Sequence, residues 1–98
     1  MRVVWTRLAD RQASEVVETI AGDNPDAAHR WLNRVLEQTR SLASFPDRGR
    51  LVPELRRSDV RELLVHPYRI VYRRDDAEIV ILLIHHDRRR LGSLDVSG

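Results

Sequence analysis

Between Val60 and Arg90 the chain reads VRELLVHPYRIVYRRDDAEIVILLIHHDRRR, and its apolar positions follow the two-residue period of extended chain. Three strands are predicted: Val60–Val65, Tyr68–Arg73 and Glu78–Ile84. His66-Pro67 separates the first two, because proline has no N–H to give to a ladder. Arg74-Asp75-Asp76-Ala77 supplies the second turn, since aspartates hydrogen-bond locally and tolerate turn dihedrals. In the middle strand Tyr68, Ile70 and Tyr72 project one way and Arg69, Val71 and Arg73 the other. One face is thus expected against a core, and the other carries guanidinium groups toward something anionic. The third strand, with its IVILLI run, is apolar on both sides, as a strand inside a sheet should be.

Upstream the period changes. Arg2–Trp5 is short, β-branched and aromatic, and fits an opening strand. Thr6 follows as an N-cap, and in Arg7–Ala21 the residues Leu8, Ala9, Ala13, Val16, Val17 and Ile20 recur at helical spacing. Gly22-Asp23-Asn24-Pro25 should stop one helix and start the next. Gly22 suits a left-handed C′ position, Asn24 a cap, and Pro25 the first helical turn. The second helix is expected from Pro25 to about Ser44, with its stripe at Ala28, Trp31, Leu32, Val35, Leu36, Leu42 and Ala43. So short a turn makes the two helices antiparallel neighbours. The breaker-rich segment from Phe45 to about Asp59 is a long loop, either functional or well packed. In Arg48-Gly49-Arg50, Gly49 is expected to permit a positive φ and the arginines to pair with Asp47 or Glu54. The tail from Asp87 to Gly98 is basic and then small and polar, and is expected to fray past Leu91, with residues 92–98 flexible.

The order strand–helix–helix–strand–strand–strand predicts an α+β fold in two layers, β-α-α-β-β-β, a helical hairpin packed on a small, mainly antiparallel sheet. Ninety-eight residues make one domain, 1–98, with a single core. Without cysteine there is neither a disulfide framework nor a thiolate metal site, no run reaches the length of a membrane span, and the N-terminus lacks a signal-peptide pattern. A cytoplasmic protein is the expectation. Charge is uneven: residues 1–47 hold six arginines against seven acids, and residues 48–98 eleven against eight, so the second half is net +3. All 17 basic residues are arginine, the better bidentate partner for carboxylate or phosphate.

Taken together, VVWT before a helix with Ala9, DNPDAA at the second helix, LASFPDRGR, VPEL, REL-V-x-x-YRIVYR and the closing H-x-x-R-R resemble the ParE/RelE toxin superfamily of bacterial type II toxin–antitoxin modules, also known as plasmid stabilisation proteins. The resemblance spans nearly the whole chain. It implies a β-α-α-β-β-β toxin neutralised by an antitoxin, ParD-like or RelB-like, which wraps it with an extended, partly helical segment. Operator DNA would be reached only through that antitoxin. Two mechanisms live on the fold: ParE-like members poison DNA gyrase, and RelE-like members cut mRNA on the ribosome.

Cutting RNA requires groups that move protons and cations that stabilise a pentavalent phosphate. By the resemblance Arg69 falls where a phosphate-binding arginine sits in the nucleases, with Arg88 or Arg89 near a second. The family's lysine pair on the preceding strand is missing; Arg61 and Glu62 stand there instead. No C-terminal tyrosine follows Arg90. A third branch pairs a terminal histidine with tyrosine, but His85-His86 comes too early, and adjacent strand residues face opposite sides, so the two cannot bind one metal. No cofactor or metal is expected. The candidate target- or antitoxin-binding residues are therefore Arg61, Arg69, Arg73, Arg88 and Arg89; as a nuclease, the chain would rely on Arg69, Arg88 and Arg61. Arg69 and Arg73 also have an ordinary use, pairing with Glu62 or Glu78 across the sheet. Trp5 and Trp31 are expected in the core. The reading is a ParE-like toxin that inhibits growth by binding gyrase, with a ribosome-dependent endonuclease or an inactive binding remnant as alternatives.

Overall fold

The computed structural model describes residues 1–88; Arg89 and the expected flexible tail lie outside the described residues. The chain runs β1 (Arg2–Trp5), α1 (Arg7–Asp23), α2 (Pro25–Ser41), β2 (Arg50–Leu51), β3 (Val60–Val65), β4 (Tyr68–Arg74) and β5 (Glu78–His86). The strands form one five-stranded sheet in the order β1-β5-β4-β3-β2. The β2–β3–β4–β5 pairs are antiparallel. After the helical hairpin β1 lies parallel to β5, with Val3 opposite Ile79 and Trp5 opposite Ile81. The expected α+β architecture is what forms, with the short edge strand β2 added inside the predicted loop.

The helix ends follow from a few polar residues. Thr6 Oγ1 accepts from the Ala9 N–H and donates to the Leu82 carbonyl, so one hydroxyl caps α1 and ties it to β5. Asn24 serves both helices: its N–H donates to the Ile20 carbonyl, closing α1, and its side chain accepts from the Ala27 N–H, opening α2. Gly22 is therefore not the left-handed cap that the sequence suggests; it is helical, and a Cβ there would meet nothing within 4 Å. Gly22→Ala should accordingly raise stability by about 0.5 kcal/mol, read as a higher urea midpoint at unchanged m. The second helix stops at Ser41, short of the expected Ser44. Bonds from Leu42, Ala43 and Ser44 to carbonyls three residues back tighten the chain into turns.

The sheet is covered on both sides. Against α1 and α2 lie Leu63, Val65, Ile70, Tyr72, Ile79 and Ile81, meeting Ala9, Ala13, Val16, Trp31 and Val35. On the other side Val60, Val71, Val80, Leu82 and Leu83 are covered by Val52 and Leu55 from the loop between β2 and β3. This second, smaller core explains why β5 is apolar on both faces, and it settles the long loop as well packed.

Gly49 also departs from expectation. Its φ lies outside the left-handed region, and the glycine is needed for space: a Cβ would stand 2.5 Å from the Glu62 carbonyl oxygen and 2.8 Å from the Tyr72 ring and hydroxyl. The Gly49 N–H donates to the Tyr72 hydroxyl at 2.9 Å, and that hydroxyl donates to the Pro46 carbonyl at 2.8 Å. Tyr72 is fully buried, and desolvation raises its pKa, so the phenol stays neutral and keeps its donor. Tyr72→Phe should cost about 1–3 kcal/mol, because it leaves a buried N–H and a carbonyl without partners. Thermal or urea unfolding measures it.

Candidate functional site

Strand alternation sorts the candidate arginines before any side chain is placed. On β4, Arg69, Val71 and Arg73 face away from the helices. On β3, Val60, Glu62 and Leu64 share that side, whereas Arg61 lies on the helical side with Leu63 and Val65. Glu62 therefore sits in an otherwise apolar row, and its side chain is only 1% exposed.

A carboxylate so dry requires cations, and two arrive. Arg50 reaches it from β2 through Nε at 2.7 Å and an Nη at 2.6 Å, and Arg69 approaches from β4 at 3.4 Å. The same Arg69 nitrogen is bracketed by both oxygens of Glu54, at 2.9 and 2.8 Å. Glu54 comes from the loop that covers this face. The result is an alternating row, Arg50–Glu62–Arg69–Glu54, in which the Arg69 side chain is 11% exposed. The guanidinium expected to face an external anion is held by two carboxylates of its own chain.

His85 lies opposite Arg69 in the β4–β5 register and so shares its face. His86 points the other way, its ring edge-on to Tyr68 at 5.2 Å and its Nδ1 3.5 Å from Asp87. The histidines are split between faces, as adjacent strand residues must be. Around Arg69 the fold thus gathers Glu54, Glu62 and His85. Neither carboxylate is placed to take a proton from a hydroxyl without breaking its pair with the guanidinium. Sequence reasoning named Glu62 as a cross-strand partner but gave Glu54 to the turn arginines. The available signal was Glu62 itself, an acid in the Val60–Leu64 row.

The other candidates are dispersed. Arg61 donates to the Gly49 carbonyl at 2.8 Å and approaches Asp47 at 3.6 Å on the helical side. Arg73 is at the far end of β4 from Arg69, opposite Val60, where its charge is felt by Asp59 and Asp75. Arg88 is exposed just past β5, at the Arg69 end, with its N–H on His86 Nδ1. Arg61, Arg69, Arg73 and Arg88 do not converge on one point. Of the flanking turn arginines, Arg48 donates to Ser41 Oγ rather than pairing with Asp47. Among the described residues no cluster of three potential metal ligands forms, and no helix is long and apolar enough to cross a membrane.

At the Arg73 end three carboxyls are held below their ordinary value of 3.8. A hydrogen bond from Arg74 lowers Asp47, one from Arg57 lowers Asp59, and the Glu78 and Ala77 N–H groups lower Asp75. Depressed folded-state values mean that these groups favour the native state above the unfolded value, and that the benefit is lost as pH falls through the folded one. Urea midpoints should hold steady down to the ordinary carboxylate range and decline below it, more weakly in high salt because the pairs are exposed.

A second surface lies on the helices. Trp5, Ala13, Val17, Leu32 and Leu36 line an apolar groove of about 590 Å³ beside α1 and α2, with Asp10, Ser14 and Glu18 also along it. Leu8, on the same helix, is 39% exposed. Such a groove suits the apolar face of an amphipathic helix. Its acidic groups call for a basic flank on the ligand, not the acidic one anticipated for the sheet.

The comparison with known families decides what this fold belongs to. Residues 3–91 match the family described as ParE toxin of type II toxin-antitoxin system, parDE. The chain belongs to the ParE toxin family. It is similar to Toxin RelE2 of Caulobacter vibrioides, 36% identical over 89 residues that cover 90% of this chain and 97% of that protein. Its fold is similar to a solved structure described as the chromosomal ParDE TA system from P. aeruginosa, with a TM-score of 0.71, 25% identity, and coverage of 88% of this chain and 95% of that one. The helical hairpin, the meander and the parallel return of β1 are thus features of a ParE toxin.

Proposed function

We propose that this ParE-family toxin is neutralised by an antitoxin and, when released, inhibits growth in the cytoplasm by binding DNA gyrase without breaking RNA itself. One observation carries this reading: the arginine that would have to meet a scissile phosphate is already held by Glu54 and Glu62 and is nearly dry. A phosphate would have to displace Glu54 and compete with a buried carboxylate. The apolar helical groove supports the antitoxin half of the proposal, since it offers a preformed seat for an amphipathic segment. The P. aeruginosa relative is described as a ParDE TA system, which supports an antitoxin as the partner. Contact with operator DNA would then come through the antitoxin.

A second reading has its own support. His85, Glu54 and Glu62 gather beside Arg69, and a close relative is named RelE2, so a ribosome-dependent mRNA nuclease is the competing activity. Expression without antitoxin separates the two. Gyrase poisoning gives filamentous cells, DNA breaks and an SOS response while protein synthesis continues. A nuclease stops protein synthesis first. Unchanged growth would indicate an inactive member of the family.

A further inference from the structure

On the flank of α2 away from the groove, Arg30 and Arg34 stand one turn apart and exposed. Asp26 and Glu37 lie about a turn to either side, yet neither arginine makes an ion pair among the described residues. Arg50, Arg57, Arg61, Arg69 and Arg74, by contrast, are held in ion pairs within the chain. The pair borders a cleft of about 330 Å³ whose apolar walls are Ile20, Ala27, Trp31 and Pro67, with His66 at its mouth. The nearest carboxylate to His66 is Asp87, 3.9 Å from its Nδ1.

We propose that this cleft binds an acidic peptide segment: a bulky apolar side chain enters against Ile20, Ala27 and Pro67, and flanking carboxylates take Arg30 and Arg34. Charge complementarity selects the occupant. Two unpaired guanidiniums on the rim of an apolar hole fit a residue pattern of carboxylate, apolar side chain, carboxylate. A nucleic acid fits less well. The Trp31 indole is 4% exposed and its N–H is spent on the Val65 carbonyl, so it offers no face for a base to stack on. Two arginines, with Glu37 next along α2, are also too short a track for a phosphate backbone.

The proposal rests on the toxin reading only for the owner of the segment, which would be the antitoxin. Leu32 and Leu36 of the apolar groove lie on one flank of α2, and Arg30 and Arg34 on the other. One ligand crossing the helix between them needs to span roughly 10–12 Å, about four extended residues.

The two tryptophans report on the two sites separately, Trp31 on the cleft and Trp5 on the groove. The full-length ¹⁵N-labelled chain is titrated with a capped ten-residue peptide carrying one leucine between glutamates, with its glutamine counterpart, and with a single-stranded oligonucleotide. The glutamate peptide should move the Trp31 indole resonance and leave that of Trp5 in place. The exposed double substitution Arg30→Gln/Arg34→Gln should weaken binding about tenfold without altering the rest of the spectrum. A shift at Trp5 alone, equal binding of the glutamine peptide, no shift at all, or an affinity indifferent to the double substitution would each overturn the proposal. So would an oligonucleotide that moves Trp31 at lower concentration than the peptide, which would assign the cleft to nucleic acid. None of these readouts depends on toxicity, so the toxin reading stands or falls separately in the expression experiment.

Discussion

Arg69→Ala should lower the stability of this toxin by about 3 kcal/mol, seen as a shifted urea midpoint with unchanged m. The side chain lies between Glu54 and Glu62, and Glu62 is 1% exposed, so truncation removes the buried cation and leaves the dry carboxylate facing Arg50 alone, from the solvent side. Arg50 keeps its short contacts to Glu62, at 2.7 and 2.6 Å, but it is itself 63% exposed, so water screens the pair that remains. Replacing both by apolar side chains, Glu62→Leu with Arg69→Met, should recover part of the loss, because it removes the buried carboxylate together with its buried cation, while Glu54 still loses its clamp on Arg69. Loss of toxicity in Arg69→Ala would consequently speak to folding before it speaks to chemistry. Glu54→Gln is the more informative variant. It loosens the outer clamp on Arg69 while leaving Glu62 in place, and under the nuclease reading it should increase cleavage by giving phosphate access.

Gly49→Ala should cost about 3 kcal/mol, the larger effect of the two glycine substitutions and opposite in sign to Gly22→Ala. The added methyl would meet the Glu62 carbonyl at 2.5 Å and the Tyr72 ring at 2.8 Å, and the carbonyl belongs to a sheet strand that cannot move alone. Relief means pushing the 46–49 turn outward. That movement breaks the Gly49–Tyr72 hydrogen bond and the Arg61 bond to the Gly49 carbonyl. Thermal unfolding of the two glycine variants side by side should give shifts of opposite direction. A neutral Gly49→Ala would mean that the turn is looser than its packing indicates.

Why some of this was legible in the sequence and some was not follows from the range of each interaction. The meander and the hairpin were plain, because a period of two in Tyr68–Arg73 and a helical period after Thr6 are local signals. Edge strand β2 has only Arg50 and Leu51, too few to show any period. The second core was hidden because Val52 and Leu55 look like loop residues until the sheet beneath them is known. Arg69's face was readable from alternation, but its partner Glu54 stands fifteen residues away in an irregular segment. Gly49 shows a further limit. Glycine serves both positive φ and close approach, and the sequence does not distinguish them. The caps were partly readable: Asn24 was expected, but its service to both helices made Gly22 unnecessary as a stop.

The proposed docking activity rests on the Arg69 guanidinium being held within the chain by Glu54 and Glu62. Its most direct test follows mRNA on purified, translating ribosomes after addition of the antitoxin-free protein. The account predicts that the message stays intact at concentrations where gyrase is inhibited; cleavage in the decoding site would contradict it.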